Sequence, residues 1–227
     1  MALTIYESLE QGTPEWLEAR RGIVTASTVG KLLTSTGKVA SNDTSRTLTD
    51  TLIAERITGR VEPIFPTRDM QRGTILEPYA RDLYAEHYAP VQEIGFARLD
   101  EDLYTLGASP DGLVGTDGGI EIKCPRPRTH LATLRTEKVP AQYMAQIQAC
   151  MHVLDRAWWD FISYAPGLPL FVKRVERDEV WGEAIRIACE NFQITSDMDA
   201  GYHEEHVVPR FHPTEYFDPF DEGEEIF

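Results

Sequence analysis

The chain's 227 residues, 42% hydrophobic and 26% charged, suffice for one domain with a buried core, and they contain no run of about 18 apolar residues that would span a bilayer. Cys124, Cys150 and Cys189 are odd in number, widely spaced and free of any CxxC pair, which argues against a disulfide framework and against a zinc or iron–sulfur site. The net charge of −15 argues against a surface that is basic throughout, so contact with a polyanion would need a local concentration of Lys and Arg.

The opening MALTIYESLEQGTPEW has no basic stretch followed by an apolar core, and the expectation is a cytoplasmic protein. Thr13-Pro14-Glu15 reads as an N-cap, a first-turn proline and a dipole-matching acid. They start a short helix through Trp16 and Leu17 toward Arg20 and Arg21, ended by Gly22. Thr25-Ala26-Ser27 signals another start, with Val29, Leu32 and Leu33 at helical spacing, while Thr34 to Ser45 is polar and small like an exposed loop. Thr47 to Ile57 and Leu76 to His87 read as helices, the second with Leu76, Tyr79, Ala80, Leu83 and Tyr84 on one face and Glu77 near its start.

From Val91 to Lys123 the apolar period shortens and Gly, Asp and Pro interrupt it, as in several strands joined by tight turns. Ala141 to Leu154 returns to helical spacing, Ala157 to Tyr164 and Pro169 to Val175 read as strands, and Glu179 to Phe192 as a last helix. No internal repeat and no long linker divides the chain. The spacing therefore predicts one α/β domain over 1–213, a central mixed, twisted sheet flanked by helices, followed by an acidic aromatic tail over 214–227. That tail has six acids and no base, and its Phe217, Phe220, Ile226 and Phe227 fit a solubilising end or a segment docked on a neighbouring subunit.

Charge reverses sign in one place: Lys123 to Lys138 holds Lys123, Arg126, Arg128, Arg135 and Lys138 against the single acid Glu137. This fits a basic patch beside a site, and equally a solvated charged loop. Just before it stand Gly107-Ala108-Ser109-Pro110-Asp111-Gly112, a Gly-rich turn, and Ile120-Glu121-Ile122-Lys123. Side chains alternate along a strand, so Ile120 and Ile122 face the core while Glu121 and Lys123 project together from the other face. Asp111, arriving from the preceding strand, can then pair with Glu121 around one Mg²⁺ held by oxygen ligands, with the Ile122 carbonyl as a further ligand. Phosphodiester hydrolysis needs such a cation to polarise the phosphoryl group and acidify the attacking water, and Lys123 would position that water or neutralise developing charge. On spacing alone the same residues also fit two hairpin turns and a solvated strand face. No HExxH pair or other metal spacing involves the six histidines.

Ser109-Pro110-Asp111 followed by Glu121-Ile122-Lys123 resembles the active-site signature of the PD-(D/E)XK nucleases. The wider order is more specific: Trp16…Arg20-Arg21-Gly22-Ile23-Val24-Thr25-Ala26-Ser27, Arg72-Gly73…Glu77, Ser109-Pro110-Asp111-Gly112, Glu121-Ile122-Lys123-Cys124-Pro125 and Tyr143-Met144-Ala145-Gln146-Ile147-Gln148. Over roughly Pro14 to Tyr164 it is similar to the phage lambda exonuclease and the related YqaJ-type viral recombinases.

The resemblance implies a restriction-endonuclease-like fold and a processive exonuclease that degrades one strand of duplex DNA from a 5′ end. It implies Mg²⁺, two ions per site with Mn²⁺ able to substitute, a ring-shaped homotrimer around the DNA, a single-strand annealing recombinase as partner, and a phage or prophage origin in a bacterial cell. Carried over by position, Asp111 and Glu121 are metal ligands, Lys123 the catalytic lysine, Glu77 a further acid and Gln146 a polar group facing the scissile region; Gln148 and Tyr143 are weaker parallels. Arg20, with Ser27 and Ser109, corresponds to a 5′-phosphate contact, and Arg21 to a less strict position. Taken singly, Glu77 also fits a solvated helix residue, Gln146 an ordinary helix position, Arg20 a charge at a helix end and Ser27 a cap. Two other readings share these residues: a nuclease of the same fold with endonucleolytic action or other polarity, and a catalytically silent DNA-end-binding module. A CRISPR-associated nuclease is disfavoured because the iron–sulfur cysteines of that group are missing.

Overall fold

The computed structural model of the chain describes residues 2–61 and 66–217. In chain order its elements are strand β1 (Ala2–Tyr6), helix α1 (Pro14–Arg20), β2 (Val24–Thr25), α2 (Ala26–Val29), α3 (Asp43–Thr58), α4 (Arg68–His87), β3 (Phe96–Asp100), β4 (Thr105–Ala108) and β5 (Gly112–Val114). Then come β6 (Gly118–Lys123), α5 (Pro127–Thr136), α6 (Met144–Leu154), β7 (Trp158–Ser163), β8 (Phe171–Glu176) and α7 (Glu179–Tyr202).

Local chemistry sets most of these ends. Thr13 Oγ1 accepts from the Trp16 N–H at 3.3 Å with Pro14 in the first turn, and Gly22 at φ +65° turns the chain out of α1. The expected loop of Thr34 to Ser45 ends early because Asn42 and Ser45 form a reciprocal cap: each side chain accepts the other's backbone N–H, at 2.9 and 3.0 Å, so α3 begins at Asp43. Helix α4 likewise starts at Arg68, where Thr67 Oγ1 accepts from Met70 N, and not at Leu76. The helix runs through Pro78. Glu77 therefore lies mid-helix, beside a position that supplies no N–H to the turn before it.

The strands form two four-stranded sheets in place of one continuous sheet, both mixed. The first has the order β1-β3-β4-β2, with β2 parallel to β4; the second has β5-β6-β7-β8, with β6 parallel to β7. β1, a strand not expected from the sequence, pairs antiparallel with β3 from Ala2↔Asp100 to Tyr6↔Phe96. The chain passes between sheets through Ser109-Pro110-Asp111, and an isolated bridge joins Gln92, in the segment ahead of β3, to Leu113 of β5. A parallel pair needs a long crossover, and α5 and α6 provide it between β6 and β7.

Helix α6 is the core of the molecule: Ala145, Ile147, Gln148, Ala149, Cys150, Met151, Val153 and Leu154 are all buried, and the helix packs on strands of both sheets. Full burial of each large aliphatic side chain there contributes about 1.5–3 kcal/mol. A second, smaller core joins Ala80 and Tyr84 of α4 to Ile120 and Ile122 of β6 and Ile162 of β7. Gly118 and Gly119 belong to β6, not to the turn before it. A Cβ at either would lie 2.1 or 2.3 Å from the rings of Trp158 and Trp159, their partners across β7. The stretch after Lys123 is the helix α5, and α7 continues ten residues past Phe192 to Tyr202. Among the described residues no helix is long and apolar enough to cross a membrane.

Candidate active site

Alternation along β6 places Ile120 and Ile122 against α4, while Glu121 and Lys123 share the opposite face, as their ion pair records. The face is not solvated: Glu121 is 0% exposed. Its Oε1 touches Lys123 Nζ, and its Oε2 is buried with no hydrogen-bond partner among the described residues. Continuing the β5–β6 register, in which Gly112 faces Ile120, by one residue sets Asp111 opposite Glu121. Asp111 Oδ2 accepts from the Ile122 backbone N–H at 2.6 Å, so the first acid is tied to the strand that carries the second.

Burial pushes the Glu121 carboxyl up to about 8, with the Lys123 ammonium pulling against it and Asp111 adding to the rise. Asp111 is raised by burial too, opposed by Lys123 and by the Ile122 N–H. Glu77, on α4, is pushed up to about 7 by burial and by the charge of Asp111. Burial works to lower Lys123, but Glu121 and Asp111 outweigh it and hold the ammonium above the ordinary lysine range. The cluster is thus three desolvated, mutually repelling carboxylates with two cations at short range, Lys123 on Glu121 and Arg81 on Glu77, an arrangement that a divalent ion would further relieve. Among the described residues no three His, Cys, Asp or Glu side chains stand as a ready metal-ligand group; Glu77 is close enough for its charge to act on both Asp111 and Glu121.

Two clefts open at these acids. One, of about 720 Å³, runs past Trp16, Glu77, Arg81, Glu93 and Asp111. The other, of about 520 Å³, runs past Arg72, Glu77, Lys123, Arg126 and Tyr143. Charge on the second rim is partly neutralised, since Asp69 lies between Arg126, bonded at 3.0 and 3.1 Å, and Arg72 at 3.7 Å. Arg128, Arg135 and Lys138 of the same basic segment are exposed on or just beyond α5. Tyr143 sits with its ring centroid 5.5 Å from Lys123 Nζ.

Arg20 also meets both Ser27 and Ser109, the latter far from it in sequence. The Arg20 guanidinium donates to Ser109 Oγ at 3.4 Å, to Ser27 Oγ at 3.4 Å and to Thr25 Oγ1 at 3.5 Å, and it stacks 3.9 Å over the Trp16 ring. Trp16 Nε1 donates to Ser109 Oγ as well, at 3.1 Å. Burial lowers this arginine to about 10, against a smaller opposing effect of Glu55. Long bonds to three hydroxyls leave the guanidinium able to take a better anionic acceptor. Ser109 directly precedes Pro110-Asp111, which couples this group to the carboxylates.

Gln146 is half-buried on α6. Gln148 has a structural place instead: its Nε2 donates to the Glu176 carbonyl and its Oε1 accepts from the Asp178 N–H, both at 2.9 Å, joining α6 to the β8–α7 connection. His130 is buried and bonded to Ser163 Oγ and the Pro169 carbonyl, and the half-buried His152 is bonded to the Tyr104 hydroxyl. Thr25, inside the Arg20 to Ser27 motif but not expected at the site, joins Arg20, while Arg81 and Arg156 have no counterpart among the site residues expected from sequence. Arg156 Nη1 donates to the carbonyls of Gly115 and Gly118 at 3.0 and 2.6 Å and so braces the turn between β5 and β6. In the tail, Tyr216 lies under Arg60 at 3.6 Å, while Phe220, Ile226 and Phe227 fall outside the described residues.

The family model of the YqaJ-like viral recombinase domain matches residues 15–157. No curated protein matches the sequence. Among solved structures, the alkaline exonuclease LHK-Exo from Laribacter hongkongensis is 37% identical, with a TM-score of 0.78 over 87% of this chain and 99% of that one. LHK-Exo in complex with dAMP gives 37% identity and a TM-score of 0.76 over the same shares, 87% and 99%. A phage-related exonuclease from Haemophilus somnus 129PT, 16% identical with a TM-score of 0.59 over 78% of this chain and 96% of that one, shares the fold. The architecture is accordingly the α/β fold of the PD-(D/E)XK type, built here from two mixed sheets.

Proposed function

The chain belongs to the YqaJ-like viral recombinase family, and on that premise we propose that it is a Mg²⁺-dependent exonuclease. It degrades one strand of linear duplex DNA in the 5′-to-3′ direction and leaves a 3′ single-stranded tail for recombination by strand annealing. The observation that carries the reading is Glu121, wholly buried with one carboxylate oxygen unpartnered, facing Asp111 across the register and Lys123 on its own strand. A buried oxygen without a donor is costly unless something not yet bound satisfies it. Hard oxygen donors are what Mg²⁺ takes, so Asp111, Glu121 and the Ile122 carbonyl would hold it, with Glu77 as the neighbouring acid where a second ion would bind; Mn²⁺ would substitute.

When bound, the cation would polarise the phosphoryl group and lower the pKa of the attacking water. The chain does the rest. Lys123 places a fixed positive charge where negative charge develops on the phosphate. Gln146 would orient polar groups on the α6 side. Arg20, Ser27, Ser109 and the Thr25 hydroxyl would receive the 5′-terminal phosphate, and the Pro110-Asp111 connection would then set the distance from strand end to scissile bond.

The net charge of −15 is reconciled if acids lie on the outside of a homotrimeric ring and the exposed bases near α5 face the duplex. The tail over 214–227 would dock on a neighbouring subunit, so its deletion would change the mass measured by light scattering. An annealing recombinase would take the tail of DNA produced.

The deciding experiment is a time course on linear duplex labelled at either end, with Mg²⁺ and then with EDTA. Mononucleotides from the 5′ strand, blocked by EDTA, support the proposal. Internal cuts or release from the 3′ strand would move the chain to another nuclease class, and no release at all to a DNA-end-binding module.

A further inference from the structure

Arg81 projects from α4 between the segments that carry the acids, and its guanidinium meets three oxygens. Nε donates to the Asp111 backbone carbonyl at 2.9 Å, Nη2 donates to Glu77 Oε1 at 2.5 Å, and Nη1 pairs with Glu93 Oε2 at 2.6 Å. The arginine side chain is only 14% exposed, whereas Glu93 is 67% exposed. The two inner bonds are therefore shielded and the outer one is in water.

The Asp111 peptide lies between β4 and β5, where the chain has left one sheet ladder and has not entered the next. Its carbonyl is held by Arg81, and its side chain by the Ile122 N–H. A planar guanidinium has its donors in a fixed fork, so satisfying a main-chain carbonyl and a carboxylate together fixes their separation. The α4 packing of Ala80 and Tyr84 against Ile120 and Ile122 then relates that separation to β6.

We propose that Arg81 is a positioning residue for the cation: it locks the Asp111 main chain to Glu77 and thereby sets the carboxylate spacing that the ion meets. The inference rests on the reading that Asp111 and Glu121 hold a divalent cation. It runs against simple charge, because a nearby positive group repels a metal ion; an arginine acting only through its charge would weaken binding, while a positioning arginine strengthens it.

Two substitutions separate geometry from charge. Arg81→Lys keeps the charge and loses the fork; Glu93→Gln removes an acid of the cleft and leaves both inner bonds. Titration calorimetry of the full chain with Mn²⁺, with circular dichroism on each variant, is expected to give about a tenfold or greater loss of affinity for Arg81→Lys, the range of outer ligand partners, and no more than about a twofold change for Glu93→Gln. Wild-type affinity in Arg81→Lys overturns the proposal, as does an equal loss in Glu93→Gln, which would give the effect to net charge. Loss of the folded signal in Arg81→Lys assigns the residue to the fold and also overturns it. Absence of Mn²⁺ binding by the wild-type chain instead removes the metal reading itself, and the inference with it.

Discussion

Asp111 Oδ2 accepts a 2.6 Å hydrogen bond from the backbone N–H of Ile122, the residue between Glu121 and Lys123. One bond thus fixes the first acid of the site to the strand that bears the second acid and the lysine. The carboxylate has a structural duty and a chemical one, and a test has to separate them.

Asp111→Asn separates them, because the amide oxygen can still accept the Ile122 N–H while the charge is lost. The expected outcome is a fall in nuclease rate of about 100-fold or more, the scale of a lost electrostatic group at a reacting centre, with an unchanged circular dichroism spectrum. Lys123→Ala is expected to abolish cleavage as well. Retained cleavage in either purified variant would remove that residue from the site.

The raised carboxyls make a prediction about pH with a definite sign. Glu121 and Glu77 rise from 4.5 in the unfolded chain to about 8 and about 7 in the fold, so over that interval the folded state holds more protons. Their contribution to stability is complete below pH 4.5 and is lost as pH climbs through about 7 for Glu77 and about 8 for Glu121. The melting temperature in EDTA should therefore drop between pH 6 and pH 9, by roughly 5 °C or more. Mg²⁺ should restore most of the loss at pH 9 and little at pH 6, since the ion binds the deprotonated form. An EDTA profile that is flat or rises with pH would contradict the burial argument.

Arg20 bonds only weakly to Ser109, Ser27 and Thr25, at 3.4–3.5 Å, and covers Trp16. Arg20→Ala is expected to erase the preference for 5′-phosphorylated over 5′-hydroxyl duplex ends while leaving cleavage of the 5′-hydroxyl substrate within a few-fold. The ratio of the two rates on matched substrates is the measurement, and an unchanged ratio would leave Arg20 as a structural stack on Trp16.

Gln148 supplies a control for stability without chemistry. Gln148→Leu strips the Glu176 carbonyl and the Asp178 N–H, part-buried groups at the β8–α7 connection, of a partner whose own side chain is buried. Each abandoned group costs about 1–3 kcal/mol. Urea denaturation should show a loss of about 2–4 kcal/mol, with Mn²⁺ affinity unchanged below the melting transition. A matching loss of metal binding would place Gln148 in the site.

Sequence by itself determined what depends on neighbours along the chain. The turn chemistry of Thr13-Pro14 and Gly22, the helical spacing around α6 and the alternation of Ile120, Glu121, Ile122 and Lys123 are short-range patterns, and each corresponds to an element in place. Caps built from less familiar pairs, such as Asn42 with Ser45, and a helix that passes through Pro78 escaped that reading because the local signal pointed elsewhere. Only the tertiary structure decided how buried the acids are. Glu121 is sealed because α6, far along the chain, closes over β6, and desolvation depends on what packs above a residue, not on its strand neighbours. The same holds for the two sheets, for β1, whose strand exists through pairing with β3, and for Arg81, whose i,i+4 partner Glu77 is a helical neighbour but whose contacts with Asp111 and Glu93 join segments that no spacing rule connects.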